Sequence, residues 1–138
     1  MIVLVVVLSI CGLLISSYFT AVAYRWMRPD SPYVPSLCRM GSDTCSRIVD
    51  TPRARLLGVP NSVLGFFYYA ALIGAFAGGF WREPVVQWIL LAASLATVAM
   101  GVILTYSLFF VTRVKCPLCL FSHAANVVLF VCLWILFR

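Results

Sequence analysis

The sequence predicts an all-α integral membrane protein, a bundle of four transmembrane helices. Three observations carry that prediction. Of 138 residues, 64% are hydrophobic and the mean hydropathy is +1.06, more apolar surface than a soluble domain of this length can bury. The apolar residues fall into four runs, each near the ~20 residues that cross a ~30 Å hydrocarbon core at about 1.5 Å per residue. The charged residues lie between or after those runs. A net charge of +6 would point to nucleic acid in a soluble protein. Here the arginines sit in short connections, where they anchor the membrane surface and set topology, and no nucleic-acid partner is expected.

The first span covers about residues 2–24 and ends at Tyr24, Arg25 and Trp26, which read as interfacial anchors. Ala21-Val22-Ala23 has the look of a signal-peptide cleavage site, but no basic residue precedes the run and it is longer than a typical h-region. Residues 25–61 form the long polar segment. Pro29, Pro32 and Pro35 make its start extended and irregular, and Cys38 and Cys45 follow. From Ser46 to Leu57, apolar Ile48, Val49, Leu56 and Leu57 mix with Arg47, Arg53 and Arg55. That pattern fits either a short amphipathic helix on the membrane surface or an arginine-rich loop. The second span covers 62–80, entered through Pro60-Asn61-Ser62 and closed at Gly78-Gly79. A turn at Trp81 to Pro84 leads to the third span, 85–112. The fourth covers 117–137. No repeat or linker divides the chain, so residues 1–138 read as one domain.

Four spans joined in sequence put the first and third connections on one membrane face. Cys38, Cys45, Asn61, Cys116 and Cys119 all lie in or beside those connections, within reach of each other. The same face carries Arg25, Arg28, Arg39, Arg47, Arg53, Arg55, Arg113 and Lys115. The opposite face carries Arg82, Arg138 and the N-terminal amine. By charge alone this face is cytoplasmic, whereas stable disulfide chemistry usually belongs outside the cytoplasm. Cys11 and Cys132 fall inside apolar runs and read as packing residues.

The chain is organised around Cys116-Pro117-Leu118-Cys119, at the junction of a basic turn and the last apolar run. Pro117 suits the first helical position, which puts Cys116 at the N-cap and Cys119 one turn further in. The positive end of the helix and Lys115 favour a thiolate at Cys116. Cys116, Cys119, His123 and Asn126 share one helical stripe. His123 is the sole histidine and the one ionisable side chain well inside a span, a functional candidate whose plainer role is a hydrogen bond to a neighbouring helix. Two cysteine pairs on one face fit a thiol–disulfide relay, a closed four-cysteine metal site holding zinc, or a pair of structural disulfides. The wide Cys38-to-Cys45 gap fits zinc poorly. An ion or drug transporter normally places an acid within a span, and here Asp30, Asp43, Asp50 and Glu83 are all in connections.

These features resemble the vitamin K epoxide reductase family, specifically its short prokaryotic members without a fused thioredoxin domain. The resemblance rests on Cys38 and Cys45, the latter followed by Ser46-Arg47-Ile48-Val49; on Leu57 to Gly65 (LGVPNSVLG) opening the second span; and on Cys116-Pro-Leu-Cys119 followed by His123 and Asn126. It covers almost the whole chain. It implies a four-helix bundle around a quinone pocket and a quinone-reducing disulfide oxidoreductase that supports disulfide bond formation. Electrons would run from a separate thioredoxin-fold, Dsb-like partner to Cys38–Cys45, then to Cys116–Cys119, then to a quinone such as menaquinone or ubiquinone, with no metal. The resemblance implies that Cys119 faces the quinone, that Cys116 closes the active disulfide and exchanges with Cys45, and that Cys38 meets the partner. Asn61 would hydrogen-bond a quinone carbonyl. His123 and Phe66 are further expected contacts, with Phe67, Tyr68, Phe109, Phe110 and Phe121 as aromatic lining that serves equally as lipid or core contact. His123 stands where vertebrate members carry tyrosine, Arg39 where an acid is usual, and Val49 where an aromatic residue is usual, so quinone rather than epoxide reduction is expected. Precedent in bacterial members places the active site on the extracytoplasmic side, against the arginine distribution.

Overall fold

The computed structural model describes residues 1–27, 52, 55–56, 58–113 and 116–138. Cys38, Cys45, Lys115 and most of the polar segment lie outside the described residues. Four helices run through the rest: α1 (Ile2–Ala23), α2 (Asn61–Ala77), α3 (Pro84–Tyr106) and α4 (Pro117–Leu136). α1, α4 and the stretch Pro84–Val111 are long and apolar enough to cross a membrane. α2 has 17 residues, at the short end of the spanning range. The architecture is the membrane helical bundle that the composition predicts.

The element ends follow local chemistry. α2 stops at Ala77, three residues before the expected end of the second span. Gly78 caps it and Gly79 takes φ 74, the left-handed region open to glycine. A short 3-10 turn, Phe80–Arg82, then leads to Pro84 at the first position of α3. The third span is not uniform. Beyond Tyr106 it widens into a π-helical stretch, Ser107–Thr112, which ends at Arg113 with φ 51. Arg55–Leu56, placed by the helical alternative for Ser46 to Leu57 in a surface helix, instead forms strand β1. It pairs antiparallel with β2 (Val59–Pro60), with Gly58 at φ 84 in the turn.

α1 lies along α2, α3 lies along α4, and α1 also meets α4. Val5, Leu72, Leu90, Leu129, Leu133 and Tyr69 form a buried cluster toward the end remote from Cys116. A smaller cluster of Phe19, Leu108 and Cys116 closes the other end. Cys132 packs in the larger cluster at 7% exposure, as expected for a packing residue. Large apolar side chains such as Phe67, Val102, Phe110 and Ile135 are exposed on the outside, where lipid replaces water as solvent.

The α1–α2 contact is close because α1 presents small residues there. Ser9, Gly12 and Ser16 are all buried on that helix. A Cβ built at Gly12 would overlap the Tyr69 ring, so Gly12 is the slot into which that ring fits. Ring and slot together fix how far apart the two helices sit. Gly12→Val is therefore expected to cost about 1–3 kcal/mol by overpacking. A lowered unfolding temperature of the detergent-solubilised protein checks this; unchanged stability would mean that the helices separate freely.

Candidate active site

The site begins at the start of α4. Cys116 is the N-cap, in extended backbone, with Pro117 at the first helical position. Its Sγ accepts the Cys119 backbone N–H at 3.4 Å, and the residue is 1% exposed. That contact and the helix terminus gather partial positive charge at the sulfur. Cys119, one turn on, lines a cavity of about 240 Å³. Cys116 packs behind it against Phe19 and Leu108.

All four helices contribute to the cavity wall. Ile15, Phe19, Leu64, Met100 and Leu104 make it mainly apolar. A few polar groups converge in it: Asn61 and Ser62 at the start of α2, and Ser122, His123 and Asn126 on the stripe below Cys119. His123 packs against α3, where a Cβ on Gly101 would stand 3.1 Å from the ring Nδ1. Among the described residues, His123 Nδ1 and Ser62 Oγ are buried with no hydrogen-bond partner. Buried polar atoms are normally satisfied, so two unsatisfied ones in this wall fit a polar ligand group in the cavity.

Of the residues that line the cavity, Leu64 on α2 and Ala96 on α3 are the exposed ones. α2 and α3 are joined at the far end by the short turn, where Phe76 stacks on Trp81 with centroids 5.6 Å apart. Further along, Tyr68 Oη donates to Ser94 Oγ at 2.9 Å. Past that bond, toward the cysteines, Leu64 and Ala96 are exposed on α2 and α3.

Of the residues singled out from sequence, Cys119, Asn61 and His123 line this cavity, and Cys116 lies one helical turn from Cys119 outside the lining. Phe66 does not line it; it is 37% exposed and edge-on to Phe67. Phe67, Phe109, Phe110 and Phe121 likewise point outward, and Tyr68 is the one expected aromatic found in the wall. Helix phase explains the sorting. Counting from Asn61, the positions i, i+3, i+4, i+7 and i+8 are Asn61, Leu64, Gly65, Tyr68 and Tyr69, and all five line the cavity. Positions 66 and 67 fall on the other face. The residues that composition missed are Tyr69, Ser122 and Met100. Phase from Asn61 finds the first, and phase from Cys119 finds the second.

A sequence model of the vitamin K epoxide reductase family matches residues 3–134. The chain belongs to the vitamin K epoxide reductase family. It is therefore a membrane-embedded oxidoreductase of the quinone-linked thiol class. For a member of that family the geometry is coherent: a cysteine in the wall of a mainly apolar cavity, a second cysteine one helical turn away, and a few polar groups in the same wall.

Proposed function

We propose that the protein reduces a quinone with electrons drawn from a thioredoxin-fold, Dsb-like partner through two cysteine pairs, and so drives disulfide formation in that partner's substrates. The observation that supports this most is the position of Cys119 in the wall of a mainly apolar cavity, with Cys116 buried behind it. A quinone is apolar enough to dissolve in the bilayer, and the exposed Leu64 and Ala96 are where it would enter from the side.

Bound there, a quinone supplies a two-electron, two-proton acceptor. The residues do the rest. Cys38 takes electrons from the reduced partner by thiol–disulfide exchange, leaving the partner oxidised and Cys45 as a thiolate. Cys45 attacks the Cys116 sulfur of a Cys116–Cys119 disulfide and releases Cys119. Cys116 is then freed as Cys38 and Cys45 re-form their disulfide. Cys119 passes the electron pair into the cavity as Cys116 closes back upon it, and the two thiols give up two protons. Asn61 donates a hydrogen bond to a carbonyl oxygen. His123, in the cavity wall, moves a proton toward the oxygen being reduced. One disulfide and one hydroquinone result, and no external redox agent is needed beyond partner and quinone. An oxidising compartment suits this cycle, and we place the cysteine face on the extracytoplasmic side. The arginine distribution argues the other way.

Three outcomes test the reading. Cys119→Ala is expected to abolish reduction of a naphthoquinone or ubiquinone analogue, followed optically under anaerobic conditions with a small dithiol, while the bundle stays folded by circular dichroism. Full turnover in that variant would sink the mechanism. Cys38→Ala is expected to block turnover driven by a reduced thioredoxin-fold protein and to spare turnover driven by the small dithiol; equal loss with both would contradict the relay. In intact cells, a membrane-impermeant maleimide is expected to label Cys38 after mild reduction. Labelling only after permeabilisation would put the cysteine face in the cytoplasm.

A further inference from the structure

Tyr69 makes the bond that sets the deep end of the cavity. Its ring is 1% exposed and seated on Gly12. Its hydroxyl donates to Asn126 Oδ1 at 2.6 Å and stands 3.5 Å from Ser122 Oγ. Since the single phenolic proton goes to Asn126, the serine hydroxyl is the donor in the second contact. The chain runs from Ser122 to Tyr69 to Asn126. It spends the carboxamide oxygen of Asn126 and leaves the amide N–H2 as the group Asn126 presents to the cavity it lines. Asn126 is itself 8% exposed, so this donor is held in a site shielded from water.

The same bond fixes depth. α2 and α4 both start from the cysteine face and run in the same direction. Tyr69 lies eight residues beyond Asn61, and Asn126 lies seven beyond Cys119. Bonding Tyr69 to Asn126 therefore levels Asn61 with Cys119 and sets Asn126 about 10 Å deeper, at roughly 1.5 Å per residue. The cavity thus has one neutral amide at the height of the reactive sulfur and another below it.

We propose that Asn126 is a second carbonyl-binding residue for the quinone, locked as a hydrogen-bond donor by Tyr69. This rests on the quinone reading above and adds to it a binding residue. Tyr69 is a positioning residue: it acts through Asn126. A neutral amide suits this depth, where a charged donor would be costly.

The test uses the full chain in lipid nanodiscs with 2-methyl-1,4-naphthoquinone as probe. Wild type, Asn126→Leu, Tyr69→Phe and the double variant are compared. Three quantities are read: the dissociation constant by quenching of tryptophan fluorescence, KM against kcat with a small dithiol, and the infrared carbonyl bands of the bound quinone. Asn126→Leu is expected to raise the dissociation constant and KM about tenfold, to change kcat less, and to return one downshifted carbonyl band toward its free position. Tyr69→Phe keeps the ring in the Gly12 slot and is expected to give a smaller rise, about threefold, with partial loss of the band shift. The double variant is expected to match Asn126→Leu alone, because the tyrosine has nothing left to position. Wild-type affinity and unchanged bands in Asn126→Leu would overturn the proposal, as would additive effects in the double variant. If Asn126→Leu does not fold, unchanged affinity and bands in Tyr69→Phe overturn it. Failure of the wild type to bind the probe would instead remove the quinone reading itself, and this inference with it.

Discussion

A polar group in the hydrocarbon layer has no water to turn to, and the bundle is arranged around that constraint. The bond from Tyr69 to Asn126 is its clearest expression. α1 pairs with α2 and α3 pairs with α4, so α2 and α4 belong to different pairs. The tyrosine reaches from one to the other because Gly12 leaves room for its ring. An interhelical hydrogen bond in a membrane contributes about 0.6–2 kcal/mol, no more than the burial of one apolar side chain. Its larger effect is on specificity. A one-residue rotation of α2 would leave the hydroxyl and the carboxamide unpaired in lipid, which costs more than the bond gains.

The cavity follows from the same arrangement. Toward the far end, Leu72, Leu90, Leu129 and Leu133 fill the space between helices. Tyr68 bonds to Ser94 between α2 and α3. Above it the small residues Ser16, Gly65, Thr97 and Ser107 stand in the wall among larger apolar ones such as Phe19 and Met100, and volume is left over. The π-helical turn adds to this by turning Ser107 and Leu108 inward just before the chain reaches Cys116. What packs tightly below the tyrosines is what holds an open pocket above them.

The legible part of this architecture is the part written in local chemistry. Four apolar runs give the bundle, and the Cys116-Pro117 pair gives an N-cap with a sulfur where an oxygen usually sits. Helix rotation is harder to read. In α1 and α2 nearly every position is apolar, so hydropathy alone does not separate the lipid-facing side from the packed one. Phe66 and Phe67 then look as good as Tyr68 and Tyr69 for lining a pocket. The difference lies in phase relative to Asn61 and in the hydroxyls, which need partners that only the interior offers. The end of α2 is legible in Gly78-Gly79, whereas hydropathy alone carries the span on to Phe80, past the point where the backbone at Gly79 has turned left-handed. Cys38 and Cys45 lie outside the described residues, so their part in the relay rests on the sequence pattern.

In the proposed cycle, the spacing within Cys116-Pro-Leu-Cys119 would let one cysteine pair serve two different exchanges. Three residues along an α-helix advance about 4.5 Å and leave the two side chains roughly 60° apart around the axis. That separation is within the span of a disulfide, so the pair can close and open without unwinding the helix. It is also enough to give the two sulfurs different surroundings. Cys119 meets the cavity, and Cys116 sits at the helix cap, buried with Phe19 and Leu108 and next to the connection that follows Arg113. A closer spacing would turn the side chains to different faces of the helix, and a wider one would pull the sulfurs out of bonding range. In the proposed cycle this keeps the two exchanges apart: the loop cysteine attacks from the membrane face at Cys116, the quinone approaches from the bilayer at Cys119, and neither path crosses the other.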